Sequence, residues 1–131
     1  MASEIQMGSA SKKLFIIGWI LTVLPALMLI FSAVMKFVKP PDLIKGFADL
    51  GLDVRLALGL GILELACTIL YLIPRTAVLG AILLTGYLGG AVLTHLRVGE
   101  QFFGPIILGV VLWGGLFLRD PRLRALLPLR S

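Results

Sequence analysis

The sequence predicts an all-α fold, an integral membrane four-helix bundle with a short amphipathic helix between helices 1 and 2. Composition is the first of three observations that carry this. The chain of 131 residues is 59% hydrophobic and 15% charged, with a mean hydropathy of +1.04, whereas a soluble domain is about 45–50% apolar and about 25% charged. The second is where the charges fall: they gather in tails and connections instead of along helix faces. The third is four apolar segments near the roughly 20 residues that cross a hydrocarbon core. They lack the alternation of a barrel strand, and an open sheet cannot satisfy its backbone in lipid, so the segments are helices.

Residues 1–11 are polar and aperiodic and are expected to form a disordered tail. The first span, residues 14–35, follows Lys12-Lys13. Its apolar stretch is too long for a signal peptide and no small-residue cleavage site follows, so it is expected to stay as an anchor helix. Pro25 frees the carbonyl of Leu21 and bends or is tolerated by this helix. Between spans, residues 36–55 place Leu43, Ile44, Phe47 and Leu50 at helical spacing after Asp42, the pattern of an interfacial amphipathic helix or a plain linker. The second span covers residues 56–73. The turn Pro74-Arg75-Thr76 makes the third, residues 77–96, its antiparallel neighbour. The fourth, residues 102–118, carries Pro105 in its first turn and is stopped by Arg119-Asp120-Pro121. The domain thus covers residues 12–121 and leaves a basic tail at 122–131.

An even number of spans puts both termini on one side. That side carries Lys12, Lys13, Arg75, Arg119, Arg122, Arg124 and Arg130, against Lys36, Lys39, Lys45, Arg55 and Arg97 opposite, which favours cytoplasmic termini. The basic balance fits this asymmetry and anionic headgroups of the lipid bilayer, and it calls for no nucleic acid.

One residue stands out chemically. Glu64 lies inside the second apolar run, where an ionisable group costs at least ~2.5 kcal/mol and so needs a partner or a purpose. At ~1.5 Å per residue it sits about 12 Å below the boundary near Leu56. On one stripe of the first span fall Gly18, Thr22, Pro25, Ser32 and Lys36. The second span aligns Ala57, Gly61, Glu64, Thr68 and Tyr71, and the third Gly80, Tyr87, Ala91, Thr94 and His95. The expected partners of Glu64 are therefore His95 first and Lys36 second, with Tyr71, Tyr87, Thr68 and Thr94 supplying hydroxyls. The spacing of Gly86 and Gly90 suits close helix contact. Two readings of the cluster stay open: a structural clasp, or a small polar pocket for a ligand or proton.

Self-contained redox chemistry finds no support here. One cysteine and one histidine cannot build a disulfide relay, an iron–sulfur site or a metal cluster, and no phosphate-binding glycine motif is present. Cys67 is expected to be a small packing residue. No metal and no intrinsic cofactor are predicted.

Several motifs occur in a distinctive order: Phe31-Ser-Ala-Val-Met-Lys36, Gly61-Ile-Leu-Glu-Leu-Ala66, Leu72-Ile-Pro-Arg75, Leu79-Gly-Ala-Ile-Leu-Leu84 and Gly90-Ala-Val-Leu-Thr-His-Leu96. Together they make the chain resemble the DoxX-like family of small four-helix bacterial membrane proteins, over roughly residues 15–120. The resemblance implies a bacterial cytoplasmic (inner) membrane location. Relatives named for this fold include a subunit of a thiosulfate:quinone oxidoreductase and a member of a membrane oxidoreductase complex. It therefore implies an accessory or quinone-interacting subunit of a redox complex, with quinone as the possible cofactor and other subunits, or copies of the chain, as partners. The alternatives are a binding or transport module for a small hydrophobic molecule and a structural or assembly factor with no chemistry of its own.

Overall fold

Apolar runs bounded by proline and glycine become helices and nothing else. The computed structural model describes the backbone of residues 2–126 and the side chains of residues 12–126. In order come α1 (Ala2–Val38), α2 (Pro41–Asp49), α3 (Leu56–Leu72), α4 (Ala77–Arg97), α5 (Phe103–Arg119) and α6 (Pro121–Leu126), with no strand among the described residues. The limits of α3, α4 and α5 lie within one residue of the expected segments.

α1 starts earlier than expected. It runs through the polar stretch expected to be irregular, because adding a turn to an existing helix costs far less than nucleating one. Lys39, at φ 56°, ends it by donating its backbone N–H to Met35 O at 2.8 Å, and Pro40-Pro41 then redirects the chain. α4 stops at Gly99, whose φ of 76° lets Glu100 N reach back to His95 O at 3.0 Å. The basic tail is in part the short helix α6: Asp120 caps it by accepting from Arg122 N at 3.0 Å, and Leu123 is buried. Residues 127–131 of that tail, Arg130 included, lie outside the described residues.

Each of the four longer helices packs on two others, in the cyclic order α1, α3, α4, α5. Neighbours run antiparallel: the end of α1 meets the first half of α3, and the middle of α1 meets the end of α5. The segment Lys12–Val38 (27 residues) and α4 (21 residues) are long and apolar enough to cross a membrane. At 17 residues each, α3 and α5 are apolar but shorter.

The outer surface is large and apolar. Leu27, Met28, Phe31, Ile62, Ile82, Leu93, Ile107 and Val110 are all exposed, whereas Thr22, Lys36, Glu64, Thr68 and Arg119 are buried. Such an inverted distribution suits a lipid solvent and opposes water. Together with the two long apolar helices it fits a membrane protein.

α2 is peripheral. Only Phe47 is fully buried within it, and Arg97 ties its far end down by donating to Leu50 O. In the turn that follows, the Arg55 guanidinium and backbone N–H hold the exposed Asp53 carboxyl below the usual carboxylate range.

Candidate functional site

The partner of Glu64 is Lys36. Its Nζ donates to Glu64 Oε1 at 3.0 Å and to Ser32 Oγ at 2.7 Å, and the two charged side chains are only 11% and 3% exposed. Local packing explains the meeting. A Cβ at Gly61 would stand 3.1 Å from Lys36 Cβ and 3.2 Å from Ala33 O, so the missing side chain lets α1 and α3 approach one turn before Glu64. Helical side chains lean toward the N-terminus, which brings the lysine stem back over Ser32 and inward.

Tyr87 of α4 completes this cluster. Its ring centroid is 5.9 Å from Lys36 Nζ, within range of a cation–π contact, and its hydroxyl and that of Ser32 adjoin the Glu64 carboxylate. Thr68 donates to the backbone oxygen of Glu64 at 2.7 Å and so steadies α3 without meeting the carboxylate.

His95 and Thr94 do not join. The His95 Nδ1 bonds Ala91 O and the Thr94 hydroxyl bonds Gly90 O, each at 2.7 Å and each one turn back on α4. Equal depth had suggested contact, but self-bonding along the helix satisfies both polar groups where they stand. The expected order of partners is thus reversed. Gly86 and Gly90 are corrected as well: both are exposed, with open space where a Cβ would go. Close helix contact falls instead at Gly80, whose Cβ would collide with the Tyr71 backbone, and at the Gly18–Gly115 crossing. Pro74 and Arg75 lie in the α3–α4 turn, both exposed.

Tyr71 belongs to a second cluster at the other end of the bundle. Its hydroxyl donates to Leu112 O and lies 3.4 Å from Thr22 Oγ1. Arg119, the last residue of α5, turns inward and donates from Nε to Thr22 Oγ1 at 3.0 Å and from Nη2 to Tyr71 O at 3.3 Å. The guanidinium carbon stands 4.2 Å from the Trp19 ring centroid and 5.5 Å from that of Tyr71. Sequence reasoning placed Thr22 and Ser32 on the right stripe but missed Arg119, which reads as a helix stop and a loop charge. The glycine at Gly115, one turn before it, was the available signal: opposite Gly18 it brings the arginine backbone against α1.

The match to known families is decided over this same core. The model of the DoxX-like family matches residues 20–115. The chain belongs to the DoxX-like family. No curated protein and no solved structure gives a significant match. Within this DoxX-like chain the matched stretch holds Ser32, Lys36, Glu64 and Tyr87, and it leaves out Trp19 and Arg119.

Among the described residues no group of three or more His, Cys, Asp and Glu side chains could hold a metal ion. The one cysteine, Cys67, is free and buried. Chemically, the Lys36–Glu64 cluster offers an ammonium with two of its three N–H groups engaged, a carboxylate and two hydroxyls. That set can bind a neutral oxygen acceptor and hold or pass a proton.

Proposed function

We propose that this DoxX-like protein is a four-span bundle of the bacterial cytoplasmic membrane, with both termini cytoplasmic, that serves a membrane redox complex as a quinone-interacting accessory subunit. The observation that carries the reading is the buried Lys36–Glu64 pair with Ser32 and Tyr87 beside it. Ionisable groups inside a membrane mark substrate or proton routes by default.

The packing supports four spans. α3 and α5, at 17 residues, reach the lower limit for a bilayer crossing, about 17–25 residues, and each is held between the two longer helices. The charge asymmetry supports the orientation. Setting aside the buried Lys36 and Arg119, the end with the termini keeps Lys12, Lys13, Arg75, Arg122, Arg124 and Arg130 against Lys39, Lys45, Arg55 and Arg97.

A quinone would fit the donor chemistry of the pair. The third N–H of Lys36 would bind a quinone oxygen, Glu64 would take up or return a proton, and Tyr87 would orient the carboxylate. The quinone would supply lipid-soluble transfer of electrons and protons, and the electrons would pass through partner subunits. Quinone content of the protein purified in a mild detergent tests this by solvent extraction and mass spectrometry. Wild type is expected to carry quinone and Lys36→Met/Glu64→Leu to lose it while staying folded.

A structural clasp is the second reading. It is favoured by one fact: among the described residues no buried side-chain nitrogen or oxygen lacks a hydrogen-bond partner. Equal quinone in wild type and double variant, with a raised Tm in the variant, would establish the clasp and overturn the quinone reading.

A further inference from the structure

Arg119 is buried to nine-tenths of its surface, yet among the described residues no carboxylate pairs with it. A buried cation without a counter-charge is expensive unless something neutralises it. Its two protein acceptors, Thr22 Oγ1 and Tyr71 O, are neutral. Tyr71 O belongs to the last turn of α3, where the helix end supplies a partial negative charge of roughly half a unit, short of a full counter-ion. The Trp19 and Tyr71 ring faces add quadrupole attraction without net charge.

One edge of the fork is unused. Nη1 meets no acceptor among the described residues, the two hydrogen bonds running from Nε and Nη2. Since no fully enclosed side-chain nitrogen among the described residues lacks a partner, Nη1 keeps some accessible surface. Arg119 is the last residue of α5, an end that in the proposed four-span bundle lies toward the polar layer of the bilayer.

The surroundings select the sign and shape of a ligand. Lys12, Lys13, Arg75, Arg122 and Arg124 share this end of the bundle. Asp120, the acid next to Arg119, is already committed to Arg122 at 3.6 Å and to capping α6. A guanidinium edge presented from a basic surface matches a phosphate oxygen better than any neutral group.

We infer that Arg119 is an oxyanion site that binds the phosphate group of an anionic phospholipid at the end of the bundle formed by α1, α3 and α5. Trp19, in contact with the guanidinium, reports its occupancy.

The full chain carrying Trp113→Phe leaves Trp19 as its one tryptophan and is placed in nanodiscs of phosphatidylcholine with or without phosphatidylglycerol. Phosphatidylglycerol is expected to shift the Trp19 emission, and native mass spectrometry is expected to show one tightly held phosphatidylglycerol. Arg119→Gln should weaken that adduct by about tenfold or more, the worth of a charge-assisted hydrogen bond, whereas Arg122→Gln should keep it. A shift produced by inorganic phosphate in phosphatidylcholine discs would keep the oxyanion site but reassign its ligand from lipid to free phosphate. No shift with either, or an adduct unchanged in folded Arg119→Gln, overturns the inference. The titration of Trp19 decides the matter even where Arg119→Gln fails to fold.

Discussion

Among the described residues the bundle holds two buried cations, and they are treated differently. Lys36 meets a full counter-charge at 3.0 Å and forms a pair that is neutral overall. Arg119 meets a hydroxyl, a carbonyl and two aromatic faces, and no carboxylate pairs with it among the described residues. Fourteen residues of α1 separate Thr22 from Lys36, about 21 Å at ~1.5 Å per residue. By helical register the layer between contains Leu29, Cys67 and Leu84, each 3% exposed or less. The lesson is that inward-facing polarity in one small bundle need not form one site. A closed pair suits chemistry or clasping in the interior, whereas a charged fork at the rim suits recognition of something outside.

Single replacements should break this contrast most sharply. Glu64→Leu strands the Lys36 ammonium and is expected to cost roughly 3–5 kcal/mol, while Lys36→Met/Glu64→Leu should recover most of that loss. Thermal melts in one detergent measure both. Arg119→Met strands no charge. It should cost about 1–3 kcal/mol, the worth of its hydrogen bonds and ring contacts. Equal losses in the two single variants would erase the distinction between paired and unpaired cations.

Next come the glycines that bring the helices together. A methyl group at Gly115 would stand 2.8 Å from Thr22 Oγ1 and 2.9 Å from Gly18 O. Gly115→Ala is therefore expected to cost about 1–3 kcal/mol and to change the emission of Trp19, leaving the Lys36–Glu64 end intact. Gly86→Ala and Gly90→Ala should stay within about 0.5 kcal/mol or gain slightly from helix propensity. Tyr71→Phe removes the hydrogen bond to Leu112 O and should cost about 1–2 kcal/mol at the Arg119 end alone. The smallest effect expected is that of His95→Ala, under about 0.5 kcal/mol, with quinone content unchanged. A large loss there would restore the histidine to the Glu64 cluster.

Much of this was readable in the residues, for reasons that differ by element. α3, α4 and α5 are legible because apolar runs and prolines fix a helix without reference to its neighbours. Lys36 and Ser32 are legible as a stripe facing Glu64. The preference for His95 failed because depth along a helix says nothing about rotation toward a partner, and a ring nitrogen can be satisfied one turn back. The small-residue spacing of Gly86 and Gly90 misled for a similar reason: it shows where helices can touch, and only packing shows where they do. Arg119 was hidden because an arginine before Asp-Pro looks like a loop charge in any chain. Its inward turn depends on a close crossing ninety-seven residues apart in sequence, Thr22 to Arg119.

The spacing of the paired charges has a consequence for biogenesis. Lys36 precedes Glu64 by 28 residues, and a chain made from its N-terminus delivers α1 to the membrane first. In the proposed four-span bundle the carboxylate, the costliest group of α3 to insert, then arrives beside an ammonium already in place. Under that reading synthesis order lets α1 act as a receptor for α3, and swapping the two charges would reverse which helix has to wait.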